Sequence, residues 1–169
     1  MKQNFLTTFI VLLAFPVMLM AQSNPQYNEE QLALRTDLFN FLKEEGFMPE
    51  IDTDGDVKFK YEGKPYYISV SDTDENPLYV VLYRYFGYPD EYNVETVVMA
   101  TKTLNMRKGI KVLCFDKSFR IGAELFVRNA EPVKAVFYKL VHLINGVSSD
   151  FMDACEKVSG SPQASASSV

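Results

Sequence analysis

From Val133 to Val158 the chain places Val133, Phe137, Leu140, Ile144, Val147, Phe151, Cys155 and Val158 at intervals of three and four. That spacing keeps side chains on one face of an α-helix. A stripe sustained over about seven turns must be buried. The rest of the chain therefore has to supply a long apolar surface for it. Pro132 suits the first turn of this helix, and Gly146 is a mild weak point within it.

That surface is written in a period of two. Val57, Phe59 and Tyr61 alternate with Lys58, Lys60 and Glu62, and Glu62-Gly63-Lys64-Pro65 turns the chain. On the return, Tyr66, Ile68 and Val70 alternate with Tyr67, Ser69 and Ser71, so the segment reads as a hairpin. After an acidic loop, residues 78–86 (LYVVLYRYF) are apolar on both faces, as a strand flanked and covered on both sides would be. Residues 110–115 and 120–128 read as two further strands joined through Asp116-Lys117-Ser118. In the second, Ile121, Ala123, Leu125 and Val127 share the face opposite Arg120, Glu124, Phe126 and Arg128.

Two shorter helices complete the pattern. Asn28 followed by Glu29, Glu30 and Gln31 is a capping-box start, and the stripe Leu34, Leu38, Phe41 and Leu42 runs towards a stop at Gly46. Asn93 caps a second helix with the stripe Val94, Val97, Val98, Thr101 and Leu104, ended by Arg107-Lys108-Gly109.

Residues 5–20 are a nearly unbroken apolar run behind Lys2, broken by Pro16 and followed by Ala21 and polar Gln22-Ser23-Asn24. This is the order of a secretory signal peptide over residues 1–21, with no cysteine beside the cleavage point to take a lipid. The mature chain is expected to be periplasmic or secreted, with no membrane contact after cleavage. Residues 22–158 then form one α+β binding domain, and residues 159–169 (SGSPQASASSV) a disordered tail lacking apolar content.

Without the leader, 16 basic residues face 22 acidic ones, a net of −6 that argues against nucleic acid as a partner. The charge is uneven, −10 over residues 22–99 and +4 over residues 100–169. One His, two Cys and no Trp leave no His/Cys zinc set and no haem-attachment motif.

The element order α-β-β-β-α-β-β-α resembles the type III secretion chaperone-like fold. The run from Gly46 through Asp54-Gly55-Asp56 to Gly63-Lys64-Pro65 and Ile68 is similar to the first hairpin of the YbjN-type sensory-transduction regulator family. The resemblance implies an antiparallel five-stranded sheet with the first and third helices on one face. It also implies a non-enzymatic binding domain, often dimeric, with no catalytic residues to carry over. Secretion chaperones work in the cytoplasm, whereas this chain carries an export leader, so a literal secretion-chaperone role is not expected.

The residues agree with a non-enzyme. Asp52, Asp54 and Asp56 alternate like a calcium loop, but Val57 and Gly63 stand where an EF-hand needs Gly and Glu, so the segment reads as a turn. The acidic run from Asp72 to Glu75 reads as a solvated loop, and His142 falls off the third helix's stripe as a surface residue. Hydrolase, phosphate-loop and zinc-protease signatures are absent, and neither metal nor cofactor is expected. Cys114 and Cys155 read as two core thiols, with a bridge as the alternative in an oxidising compartment.

The expected function is binding of a protein or peptide partner in the envelope, in a chaperone-like or regulatory role. The alternatives are a small-ligand sensor or inhibitor subunit, or an enzyme whose site only the fold assembles. The candidate surface is the sheet face away from the first and third helices. Its binding residues are Tyr67, Tyr79, Tyr83, Tyr85, Arg120, Phe126 and Arg128, accompanied by Lys58, Lys60, Ser69 and Glu124. The competing expectation is that a helix, a tail or a second subunit covers these aromatics. Met99 and Met106, off the second helix's stripe, are candidates for self-association into a homodimer.

Overall fold

The computed structural model describes residues 27–73 and 76–160. The expected leader lies outside them, as does the expected tail apart from Ser159 and Gly160, which are the last helical residues of the chain's longest helix.

Helix α1 (Glu29–Glu44) begins with the capping box written in its sequence. Asn28 Oδ1 accepts from the Gln31 amide at 2.9 Å, and Gln31 Oε1 accepts from the Asn28 amide at 2.7 Å. Gln31 is also buried, and its Nε2 donates to the Thr73 carbonyl at 2.7 Å, fixing the start of the helix to a distant loop. Gly46, at φ +86°, closes the other end and lets the Phe47 amide reach the Leu42 carbonyl at 2.9 Å.

The strands are β1 (Glu50–Ile51), β2 (Val57–Tyr61), β3 (Lys64–Val70), β4 (Leu78–Gly87), β5 (Lys111–Cys114) and β6 (Ser118–Val127). They form one antiparallel sheet in the order β1-β2-β3-β4-β6-β5. The sheet has six strands rather than the expected five. The extra one, β1, pairs only Glu50 with Lys58 and Ile51 with Val57, too short a stretch for a period of two to show.

Helix α2 (Val94–Leu104) starts where Asn93 Oδ1 accepts from the Thr96 amide at 2.8 Å, and α3 (Glu131–Gly160) closes the fold. The pairing puts Val57, Phe59, Tyr66, Ile68, Val80, Leu82, Ile121 and Ala123 on one face of the sheet, where they are buried against Leu34, Leu38 and Leu42 of α1 and Phe137, Val141 and Ile144 of α3. Helix α2 joins the same side. Its Val97, Ala100 and Leu104 pack beside α3 and over β5, and Cys114 Sγ donates to Thr101 Oγ1 at 3.6 Å.

The buried stripe of α3 runs slightly off the sequence expectation: Val141 and Ala154 are buried, whereas Leu140 and Val158 lie at its half-buried margin. Phe137 sits at the centre, with ring centroids of Phe41, Phe47 and Phe59 at 5.3, 5.8 and 5.6 Å. Truncating such a ring costs about 3–5 kcal/mol. Both cysteines are free thiols, Cys155 buried and Cys114 half-buried. Burial, with Glu91 nearby, pushes the Cys155 thiol up.

Candidate functional site

Among the described residues, no helix packs on the other face of the sheet. Alternation turns Lys58 and Lys60 of β2, Tyr67 and Ser69 of β3, Tyr79, Val81, Tyr83 and Tyr85 of β4, and Arg120, Gly122, Glu124 and Phe126 of β6 towards it. β4 read as apolar on both faces because it is central in the sheet, between β3 and β6. Its second face is covered by neighbouring side chains rather than by another layer.

Tyr83 is the floor of this face. It is only 5% exposed, stacked on Tyr67 with centroids 5.2 Å apart, and crossed by the Arg120 guanidinium 4.9 Å from its ring. Its hydroxyl donates to Asp56 Oδ2 at 2.5 Å. Burial and then the Asp56 carboxylate push the tyrosine hydroxyl up; burial likewise pushes the Asp56 carboxyl up, against the hydrogen bonds from Tyr83 and Ser69. Gly122 stands opposite Tyr83, and a Cβ there would meet Val81 Cγ1 at 3.1 Å and Tyr83 Cβ at 3.2 Å. The missing side chain lets Val81 and Tyr83 pack closely against β6.

Asp56 is delivered by the turn between β1 and β2. Asp52 Oδ1 accepts from the amides of Asp54 and Asp56, both at 3.0 Å, and Gly55 takes φ +86°. The acidic triplet thus folds as a turn whose first carboxylate is occupied by backbone. Among the described residues no group of three or more His, Cys, Asp or Glu could hold a metal ion.

Above this floor stand exposed rings. Tyr85 is 44% exposed and lies edge-on to Tyr83 at 5.3 Å, and Phe115 of the β5–β6 turn, 45% exposed, is 5.9 Å from Tyr85. Phe126, 65% exposed, tilts against Tyr79 at 5.1 Å. Two lysines at the margins are paired, Lys58 with Glu50 at 2.8 Å and Lys111 with Glu124 at 3.0 Å. Burial works to raise the Glu124 carboxyl, but hydrogen bonds from Tyr79 and Lys111 outweigh it and hold the group low.

Of the seven residues expected to bind, Tyr67, Tyr79, Tyr83, Tyr85, Arg120 and Phe126 are brought together on this face. Tyr83 is its support rather than its contact surface. Arg128 is elsewhere: β6 ends at Val127, and Arg128 lines a cleft of about 410 Å³ with Glu30, Asp37 and Asn129 beside α1. Its parity was right, but the strand ends before parity can apply. Asp56, Phe115 and Gly122 were missed. Only Gly122 left a signal, as a residue without a side chain inside an alternating strand. His142 is exposed as expected, its ring 6.0 Å from that of Tyr61.

No family model matches the sequence, and no curated protein matches it. The fold is similar to a chain of the solved structure titled "Structure of the HopA1-SchA Chaperone-Effector Complex", at 10% identity and a TM-score of 0.51. The likeness covers 73% of this chain and 99% of that one. At this identity it shows the fold alone: an α+β, chaperone-like architecture.

Proposed function

We propose that this chain is an exported, non-enzymatic binding domain that holds an extended segment of another envelope protein on its helix-free sheet face. One observation carries the reading: Tyr85, Phe115 and Phe126 stand exposed on a pre-built layer of buried Tyr83 and Val81. Exposed apolar rings cost solubility unless they are used, and rings already held by neighbours lose little entropy on binding. One further fact supports it. The solved structure with a similar fold is that of a chaperone-effector complex; separately, among the described residues no helix is long and apolar enough to cross a membrane. Export rests on the leader pattern, and the YbjN-type character on the first hairpin, both read from sequence.

The test is photo-crosslinking in the envelope from a probe at Phe126 or Tyr85, compared with one at exposed Lys139 of α3. The reading expects a discrete partner from the first two positions and not the third. Equal labelling from all three, or none, defeats it. N-terminal sequencing of the mature protein tests the leader, with cleavage expected before Gln22.

A further inference from the structure

Arg84 is the one basic residue of β4, and its partners in register place it on the helix-covered side, opposite Ile121 and below α3. Its guanidinium lies 4.4 Å from the Phe86 ring and 5.7 Å from the Tyr66 ring. The acceptors it meets are neutral. Asn145 Oδ1 is 3.4 Å from Nη1, and Tyr66 Oη, which itself donates to Asn145 Oδ1 at 2.6 Å, accepts from the same guanidinium. Nε is buried and has no acceptor, and among the described residues no carboxylate forms an ion pair with Arg84.

A half-buried guanidinium without a carboxylate beside it is costly unless an anion joins it. The space for one exists. Arg84 lines an open cleft of about 410 Å³ between the sheet and α3, within the range of small-molecule sites. Half-buried Phe86 and Met152 give apolar patches to a lining that is otherwise largely polar, Phe119 is almost wholly buried, and Lys64 brings a second cation from the start of β3. Ser148 also lines it, but its hydroxyl donates to the Asn145 carbonyl at 2.7 Å. Nε is shielded from the cleft and Nη1 already meets Asn145, so the groups left for a ligand are the remaining terminal edge of the guanidinium and the Lys64 ammonium, beside Phe86 and Met152.

We propose that this cleft binds a carboxylate carried on an apolar body, the carboxylate on Arg84 and Lys64 and the body against Phe86 and Met152. A guanidinium edge matches a carboxylate by parallel hydrogen bonds, and the apolar patches favour hydrocarbon over a hydrated polyanion. Arg84 faces the helix-covered side of the sheet, although Tyr85 of the aromatic face also borders the cleft, and the site goes beyond the function proposed above. The carboxylate could belong to a free acid or to the C-terminus of a polypeptide; the chemistry recognised is the same.

The test is titration of the ¹⁵N-labelled full chain with octanoate, with 1-octanol, and with a short Leu/Phe peptide bearing a free or an amidated C-terminus. The Arg84 Nε–H resonance and the Phe86, Phe119 and Met152 amides are followed. Octanoate or the free-acid peptide is expected to shift them saturably; which of the two does so identifies the source. Arg84→Gln should weaken binding by roughly tenfold or more, about 1.4 kcal/mol. Lys64→Gln, at an exposed residue where substitution changes the fold little, should weaken it by a smaller factor, and Arg120→Gln on the far face should leave it unchanged. Octanol or the amidated peptide binding as well as the acids, no saturable shift with either acid, or octanoate affinity unmoved by Lys64→Gln and Arg84→Gln would overturn the assignment.

Discussion

The side chain of Asn105 occupies both edge-facing backbone groups of Val112: Oδ1 accepts from the Val112 amide at 2.6 Å, and Nδ2 donates to the Val112 carbonyl at 3.0 Å. β5 is an edge strand, so the amide stands where a seventh strand would add. Asn105 is also the C-cap of α2. One residue therefore ends a helix, anchors it to the sheet and closes an edge that could otherwise template pairing with another chain.

Replacing Asn105 with Ala should cost about 1 kcal/mol for the lost hydrogen bonds, read as a lower urea midpoint. It should also increase concentration-dependent association, because the β5 edge is then open. Light scattering separates the two effects. Unchanged association would mean that the short length of β5 protects the edge by itself.

Asp56 makes stability depend on pH in a direction opposite to that of a salt-bridged carboxylate. Its folded carboxyl is pushed above the ordinary value of about 3.9, mainly by burial. Between those two pKa values the unfolded chain has already lost the proton that the folded chain keeps. Stability from this group is therefore complete below the unfolded pKa and is lost as pH rises through the folded one. Asp56→Asn removes the titration and can still accept from Tyr83. Relative to that variant, the wild type should gain in Tm as pH falls from neutral towards 4. A difference that stays flat across this range would show that the carboxylate is solvated.

The two faces of the sheet should respond in opposite ways to the loss of a ring. Tyr66 and Phe59, fully buried and stacked at 5.7 Å, belong to the core, so Phe59→Ala should cost about 3–5 kcal/mol. Phe126→Ser and Tyr85→Ser should change the urea midpoint little and abolish partner crosslinking. If these exposed variants unfold instead, the aromatic layer is a structural surface and the proposed contact face is lost.

How far this was legible in the sequence depends on how local each signal is. Caps are local: Asn28, Gln31 and Gly46 mark the ends of α1 within four residues of chain, and all three act as their types suggest. Alternation is local too, and it assigned Phe59 and Tyr66 to one face and Tyr67 and Phe126 to the other. What alternation cannot give is depth. Tyr83 and Tyr85 have the same parity, yet Asp56 and Arg120 enclose the first and leave the second exposed. Those neighbours come from other strands, so nothing beside Tyr83 in the chain announces them. Arg84 failed to stand out for the same reason: inside LYVVLYRYF it reads as an interruption, and only the approach of α3 turns it into a charge above an apolar cleft.

Self-association through α2 is the last expectation to be tested. Met99 and Met106 are 44% and 85% exposed, and Val94 and Val98 add to the uncovered outer side of the helix, while Thr96, Val97, Ala100, Thr101 and Leu104 face the core. Flexible thioethers fit varied partner surfaces, and three exposed apolar side chains on one short helix, with Met106 in the turn just after it, form a patch that a second copy can cover. Met99→Glu together with Met106→Lys places charge in that patch without touching the buried stripe. The glutamate lies one turn from Lys102, whose ammonium already reaches Met99 Sδ at 3.5 Å, so the helix itself should be stable to within about 0.5 kcal/mol. Sedimentation at rising concentration should show a dimer for the wild type and a monomer for the double variant, with matching thermal midpoints once both are dilute. A wild type that stays monomeric at high concentration removes self-association from the account and leaves the outer side of α2 as ordinary exposed surface.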